Sequence, residues 1–185
     1  METPILFINA CVRENSRTRR LAEALLRKLG RPYEEVRLWE IAFPISDEAF
    51  LQTRDRLAAG EEFGQAMFAL ARQFAAAETI VIAAPCWDLS FPAALKQYIE
   101  QINVVGITFR YTEEGVPVGL CRAKQLFYVT TAGGTWAPDA FGFGYIKALA
   151  ETYYGIADVR KIEALGLDMA GADPEALLRA AEDAL

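Results

Sequence analysis

A chain of 185 residues with 53% apolar side chains carries enough Val, Ile, Leu and Phe for one buried core, so a single domain over residues 1–185 is expected. Its 25 acidic against 19 basic side chains leave a net charge of -6, which would repel a phosphate backbone and argues against nucleic-acid binding. The chain has no histidine, which excludes Ser-His and Cys-His nucleophile pairs and His-ligated zinc or iron sites.

Along the chain, Pro4 to Asn9 is a short apolar run that reads as a strand buried on both faces. From Ser16, the apolar positions Leu21, Ala22, Leu25, Leu26 and Leu29 recur at helical spacing, and Gly30 follows as a stop. A second strand is expected over Tyr33 to Trp39. A loop containing Pro44 then leads into a long helical stretch from Asp47 to Ala77, interrupted at Gly60 and Gly64. Thr79 to Ala84 forms the next buried strand, closed by Pro85, and Pro92 to Ile102 returns to helical periodicity. Lys124 to Thr131 is a strand, Ala140 to Tyr154 a helix, Asp158 to Leu165 a strand and Pro174 to Leu185 a helix. Five strands alternating with helices imply a doubly wound α/β fold, a five-stranded parallel sheet covered on both faces. The segment Val105 to Leu120 is rich in β-formers and turn residues and reads as a small hairpin excursion.

Met1-Glu2-Thr3-Pro4 lacks a basic region before a long apolar run, and the longest apolar stretches are too short to span a bilayer. A cytoplasmic protein that binds no membrane is expected. Cys11, Cys86 and Cys121 are odd in number and lack C-x-x-C spacing, as suits free thiols in a reducing compartment.

Ligands of an open parallel sheet sit beyond the carboxyl ends of its strands, where the strand order reverses. Three loops lie there. In Asn9 to Thr18, Ser16 and Thr18 place hydroxyls at a helix start, where free N–H groups favour a phosphate, and Arg13 or Arg17 adds charge. The same residues also read as a helix cap beside solvated arginines. In Pro85 to Phe91, Trp87 could face a flat heteroaromatic ligand or simply pack. In Thr131 to Trp136, Gly133 and Gly134 allow close backbone approach to a ligand, or a tight turn needing positive φ. Neither a G-x-G-x-x-G fingerprint nor a P-loop is present.

The run Ala84-Pro85-Cys86-Trp87-Asp88-Leu89-Ser90-Phe91-Pro92, then Leu95-Lys96, Gly106 to Gly115, Gly119-Leu120 and Thr131-Ala132-Gly133-Gly134, resembles the FMN-dependent NADH:quinone oxidoreductases called azoreductases. That family's pattern is A-P-M-x-N-F, L-K, G-x-T-F-R-Y-T-E-x-G, G-L and S-x-G-G in the same order, and Ser16, Thr18, Leu21 and Ala22 fit its S-x-S-R-x-L-A loop. The match covers almost the whole chain. The resemblance implies a flavodoxin-like fold and bound FMN. Its phosphate would be held by Ser16 and Thr18, with Cys11 and Arg17 also counted among the cofactor-binding residues, its ring bordered by Pro85, Cys86, Trp87, Asp88 and Leu89, and its pyrimidine end met by Thr131, Ala132, Gly133 and Gly134. It also implies a homodimer with Trp87, Tyr111 and Tyr153 lining the substrate cavity. NADH or NADPH would reduce the flavin, and a quinone or azo compound would then take the electrons in a ping-pong exchange, with no protein residue as catalytic acid or base.

Three departures stand out: Ala10-Cys11 replaces the family's Ser-Pro, Asp88 replaces an asparagine, and Ala132 removes a side chain. An ionised Asp88 accepts hydrogen bonds but cannot donate them. Beside the ring its charge would oppose an anionic reduced flavin; turned away, it would cap the helix beginning near Phe91 and Pro92. Two other functions fit the same fold. One is a flavodoxin-type electron carrier, against which the hairpin argues because it would cover the flavin. The other is a flavin-free interaction subunit, motivated by Ala10, Cys11 and Asp88.

Overall fold

A computed structural model describes residues 4–185. Met1 to Thr3, on which the reading of an unexported chain partly rests, lie outside the described residues. The main sheet has the strands β1 (Ile5–Asn9), β2 (Tyr33–Arg37), β3 (Thr79–Ala83), β6 (Gln125–Thr131) and β7 (Asp158–Ala164), all parallel, in the order β2-β1-β3-β6-β7. Between β3 and β6 the chain makes an antiparallel hairpin of β4 (Phe109–Tyr111) and β5 (Pro117–Gly119).

The period of two in the strands sorts the core into two layers. Ile5 and Phe7 of β1, with Val81 and Ala83 of β3, pack on Leu21, Ala22, Leu25 and Leu26 of helix α1 (Arg17–Leu29) and on Leu178 of the C-terminal helix. Leu6, Ile8, Ile80 and Ile82 face the opposite way, onto Phe74, Leu95, Tyr98, Ile99 and Ile146. Each such side chain contributes about 1.5–3 kcal/mol on burial, which commits both central strands to the middle of the sheet.

Ser16 begins α1 as expected, its hydroxyl accepting the Arg19 N–H at 3.2 Å, and Gly30 ends it in the left-handed region at φ 64°. The stretch from Asp47 divides where its glycines fall. Helix α2 (Glu48–Ala59) stops at Gly60, and a 3-10 turn over Ala66–Phe68 leads into α3 (Ala69–Ala76). The second strand ends earlier than the sequence suggests, because Leu38 turns into the core through a 3-10 turn at Leu38–Glu40. After α4 (Ala93–Ile102) and the hairpin, the expected helix at Ala140 is broken into a 3-10 turn at Asp139–Phe141, α5 (Phe143–Leu149) and a π-helical turn at Ala150–Tyr154 that closes on Gly155. The chain ends in α6 (Pro174–Asp183). No helix among the described residues is long and apolar enough to cross a membrane, and the three cysteines are free.

Candidate functional site

Strand β1 is followed in sequence by β2 on one side and, after a crossover, by β3 on the other, so the loops after β1 and β3 diverge and leave a crevice at their carboxyl ends. A cavity of about 260 Å³ lies there. It is lined by Cys11, Val12, Arg13, Asn15, Ser16, Arg17, Thr18, Pro85, Cys86, Trp87, Thr131, Ala132, Gly133 and Asp168.

The turn after β1 is pinned by Asn9. Its Oδ1 accepts the Cys11 N–H at 2.9 Å and its Nδ2 donates to Glu35 at 2.8 Å, which delivers the chain to the start of α1. There the N–H groups of Arg17 and Thr18 have no acceptor within the chain among the described residues, as the first turn of a helix dictates. The buried hydroxyls of Thr18 and Thr131 lie 2.6 Å apart. Two hydroxyls have two protons; one bridges the oxygens and the other remains for a ligand. Arg17 reaches across the pocket, Nη1 donating to the Leu167 carbonyl at 3.1 Å and Nη2 pairing with Asp168 at 2.7 Å. On the outer face of the same loop Arg19 pairs with Glu23 and Arg20 with Glu175 and Glu182. Arg13 has no ion-pair partner among the described residues.

The wall opposite is made by the loop after β3. Cys86 is tied to the sheet, its N–H donating to the Thr131 carbonyl at 3.0 Å, and Trp87 and Ser90 exchange two backbone hydrogen bonds of 2.8 Å across a two-residue turn. The central pair, Asp88 at φ 51° and Leu89 at φ 69°, sits in the left-handed region, an uncommon conformation for these residues that costs about 1–2 kcal/mol each. The turn holds Trp87 at the pocket edge.

Of the expected cofactor residues, the structure gathers Cys11, Ser16, Arg17, Thr18, Pro85, Cys86, Trp87, Thr131, Ala132 and Gly133 around one cavity. Asp88, Leu89 and Gly134 stand outside its lining. Asp88 does not cap α4 either: Pro92 holds the cap position, with no side-chain hydrogen bond. Nor do Gly133 and Gly134 serve a positive-φ turn, since neither is in that region. Instead Gly133 leaves room for Asp168: a Cβ there would stand 2.3 Å from its carboxylate and would displace that exposed side chain. Asp168, Val12 and Asn15 were missed in the sequence; the signal for Asp168 was its place just past the last strand, on the same edge as the three loops inspected.

Tyr111 and Tyr153 do meet, but away from this cavity. The Phe109 ring lies 4.7 Å from that of Tyr153 and 5.5 Å from that of Tyr111. Desolvation, then the neighbouring Tyr153 hydroxyl, raises the Tyr111 pKa. No residue of Val105 to Leu120 lines the cavity, so within one chain the hairpin does not cover it, contrary to expectation. Its position follows from contact with the π-helical turn, where Gly119 approaches so closely that a Cβ would stand 2.2 Å from the Gly155 nitrogen.

No strong acid or base operates near neutral pH among the cavity's thiols. Burial pushes Cys11 up to about 11 and raises Cys86 as well. What the cavity offers is hydrogen-bond donors at one end, an aromatic ring at the other, and the N–H group of Gly133, which has no acceptor within the chain among the described residues. That donor set fits an anionic phosphate joined to a flat, hydrogen-bonding ring system, and so fits FMN.

A relative from Clostridium acetobutylicum, FMN-dependent NADH:quinone oxidoreductase 2, is 46% identical over 114 residues, covering 59% of this chain and 56% of its own. The chain thus spans about half the length of the curated relatives it matches. Among solved structures, an azoreductase from Bacillus anthracis str. Sterne superposes with a TM-score of 0.84 at 25% identity, over 99% of this chain and 96% of its own. An FMN-dependent NADH-azoreductase from Bacillus anthracis str. Ames Ancestor, in complex with FMN, shares the fold with a TM-score of 0.82 at 24% identity, over 99% and 95% of the two chains. The flavodoxin-like fold family model matches residues 3–185, and with the β2-β1-β3-β6-β7 sheet in view the chain belongs to that family.

Proposed function

We propose that this chain, as one domain over residues 1–185, binds FMN in the cavity at the β1/β3 edge and passes electrons from NADH or NADPH to quinones or azo compounds. The observation that carries the reading is the convergence at one sheet edge of a helix start whose Arg17 and Thr18 N–H groups have no acceptor among the described residues, the Thr18–Thr131 hydroxyl pair and the Trp87 ring. The names of the relatives supply the donor and acceptor classes.

Ser16, Thr18 and the N–H groups of Arg17 and Thr18 would hold the phosphate. Cys86 and Trp87 would flank the ring on one side, and the loop from Thr131 to Gly134 would meet its pyrimidine end with the Gly133 N–H, where negative charge on reduction is stabilised by such a dipole. When bound, FMN would supply the hydride-transfer chemistry; the protein contributes orientation, stacking and fixed dipoles. The neutral thiols of Cys11 and Cys86 keep added negative charge out of the pocket.

In the Ala10-Cys11 pair that replaces the family's Ser-Pro, Ala10 has no hydroxyl to offer and Cys11 does not supply one: its N–H is spent on Asn9 and its thiol lies 3.7 Å from the Ala83 carbonyl. The exposed aromatics Trp87, Tyr111, Trp136 and Phe141 suit a homodimer in which Tyr111 and Tyr153 of one protomer complete a substrate cavity of the other. The free cysteines suit a cytoplasmic setting.

Steady oxidation of NADH or NADPH by the purified protein, dependent on added quinone, tests the activity. A protein that holds FMN yet turns over no quinone or azo dye, and instead exchanges single electrons with a protein, would make it a flavodoxin-type carrier.

A further inference from the structure

We infer that Asp168 is a specificity-determining residue of this cavity, setting how strongly it prefers a phosphorylated over an unphosphorylated flavin. The inference rests on the FMN reading above. Arg17 lies at the first position of α1, beside the Ser16 and Thr18 hydroxyls, and is a cation in reach of the phosphate seat. Its guanidinium is already engaged: Nη2 is 2.7 Å from Asp168 Oδ1 and Nη1 is 3.1 Å from the Leu167 carbonyl.

The anchor is well fixed. The Asp168 N–H donates to the Gly133 carbonyl at 3.0 Å and the Leu167 N–H to the Ala132 carbonyl at 3.2 Å, so the loop after β7 is stitched to the loop after β6. The second carboxylate oxygen lies over Gly133, where any Cβ would displace it. A carboxylate therefore stands in the lining of a cavity whose other features attract an anion. It partly neutralises Arg17, and it repels a phosphate directly.

Both partners are partly exposed, with side-chain accessibilities of 36% for Arg17 and 64% for Asp168. An exposed pair of this kind is weak, and a dianionic phosphate can compete for the guanidinium. The net effect is to lower affinity for the phosphorylated ligand while leaving a neutral flavin unaffected.

The flavin-stripped full chain, wild type and Asp168→Asn, is titrated by flavin fluorescence with FMN and with riboflavin. Asn keeps a carbonyl oxygen for Arg17 while it removes the charge and turns the other oxygen into an NH2 donor. FMN affinity should rise about three- to tenfold, riboflavin affinity should stay within about twofold, and the FMN gain should fade in about 1 M salt, where screening acts over about 3 Å. Arg17→Gln should do the reverse, weakening FMN alone. An equal change for both flavins, or no gain for FMN, overturns the role of Asp168. Binding of neither flavin by the wild type overturns the reading of the cavity, and this inference with it.

Discussion

The two ends of this molecule that bear aromatic and polar groups are organised differently. The cavity at the β1/β3 edge is assembled within one chain: helix α1, the turn after β3 and the loops after β6 and β7 all reach it, and backbone hydrogen bonds tie them to one another. The Phe109, Tyr111 and Tyr153 cluster is held by a hairpin resting on a π-helical turn and contributes nothing to that cavity in the same chain. The contrast separates the proposed cofactor seat, assembled within one chain at the β1/β3 edge, from the proposed substrate surface, which would reach that seat only from a second copy. The cavity, at about 260 Å³, falls just below the ~300–1,000 Å³ usual for small-molecule sites.

The largest test of this division is at the seat. Replacing Ser16 and Thr18 together with Ala should weaken FMN binding by about 1.5–3 kcal/mol for each hydrogen bond lost to the charged phosphate. Stability should fall less, by about 1 kcal/mol for the Ser16 cap and 1–3 kcal/mol for the Thr131 hydroxyl left without its partner. Fluorescence titration and thermal denaturation read the two effects separately. Unchanged FMN affinity would move the phosphate elsewhere.

A second test acts at the hairpin. Gly119→Val inserts a side chain where even a Cβ would meet backbone at 2.2 Å, so β5 must lift from Gly155 at a cost of about 1–3 kcal/mol or more. FMN affinity of the single chain should be nearly unchanged, while the dimer, measured by light scattering, and quinone turnover should both fall. Loss of FMN binding in step with the dimer would erase the distinction between the two regions.

The smallest expected effect is at Asp88. Its side chain stands outside the cavity lining and caps no helix, so the electrostatic influence expected of a carboxylate beside the ring is reduced to that of a solvated rim charge. Asp88→Asn should raise the flavin midpoint potential slightly. A potential that falls would contradict any electrostatic role.

Much of this was legible in the sequence. Continuous apolar runs at Ile5 to Ile8 and Thr79 to Ala83 announced strands buried on both faces, and the reversal rule then pointed to the loops that do line the cavity. Ser16 as a cap, Gly30 as a stop and the hairpin were likewise readable from local chemistry. What escaped depends on contacts between distant residues. Asp168 is joined to Arg17 across 151 positions, and Thr18 to Thr131 across 113, pairings no local pattern encodes. Gly133 looked like a ligand-facing glycine or a turn, whereas it makes room for Asp168. The π-helical turn that carries Tyr153 ends at Tyr154 and Gly155, against which Gly119 packs, and the unbroken helical periodicity gave no sign of it.

The claim on which the rest depends is that this cavity holds FMN, and the visible spectrum of the purified full chain, before and after denaturation, tests it directly. The account predicts flavin absorption in the folded protein and release of one FMN per chain on unfolding. If the protein is colourless and also fails to take up added FMN, it is a flavin-free interaction subunit, and the account is wrong.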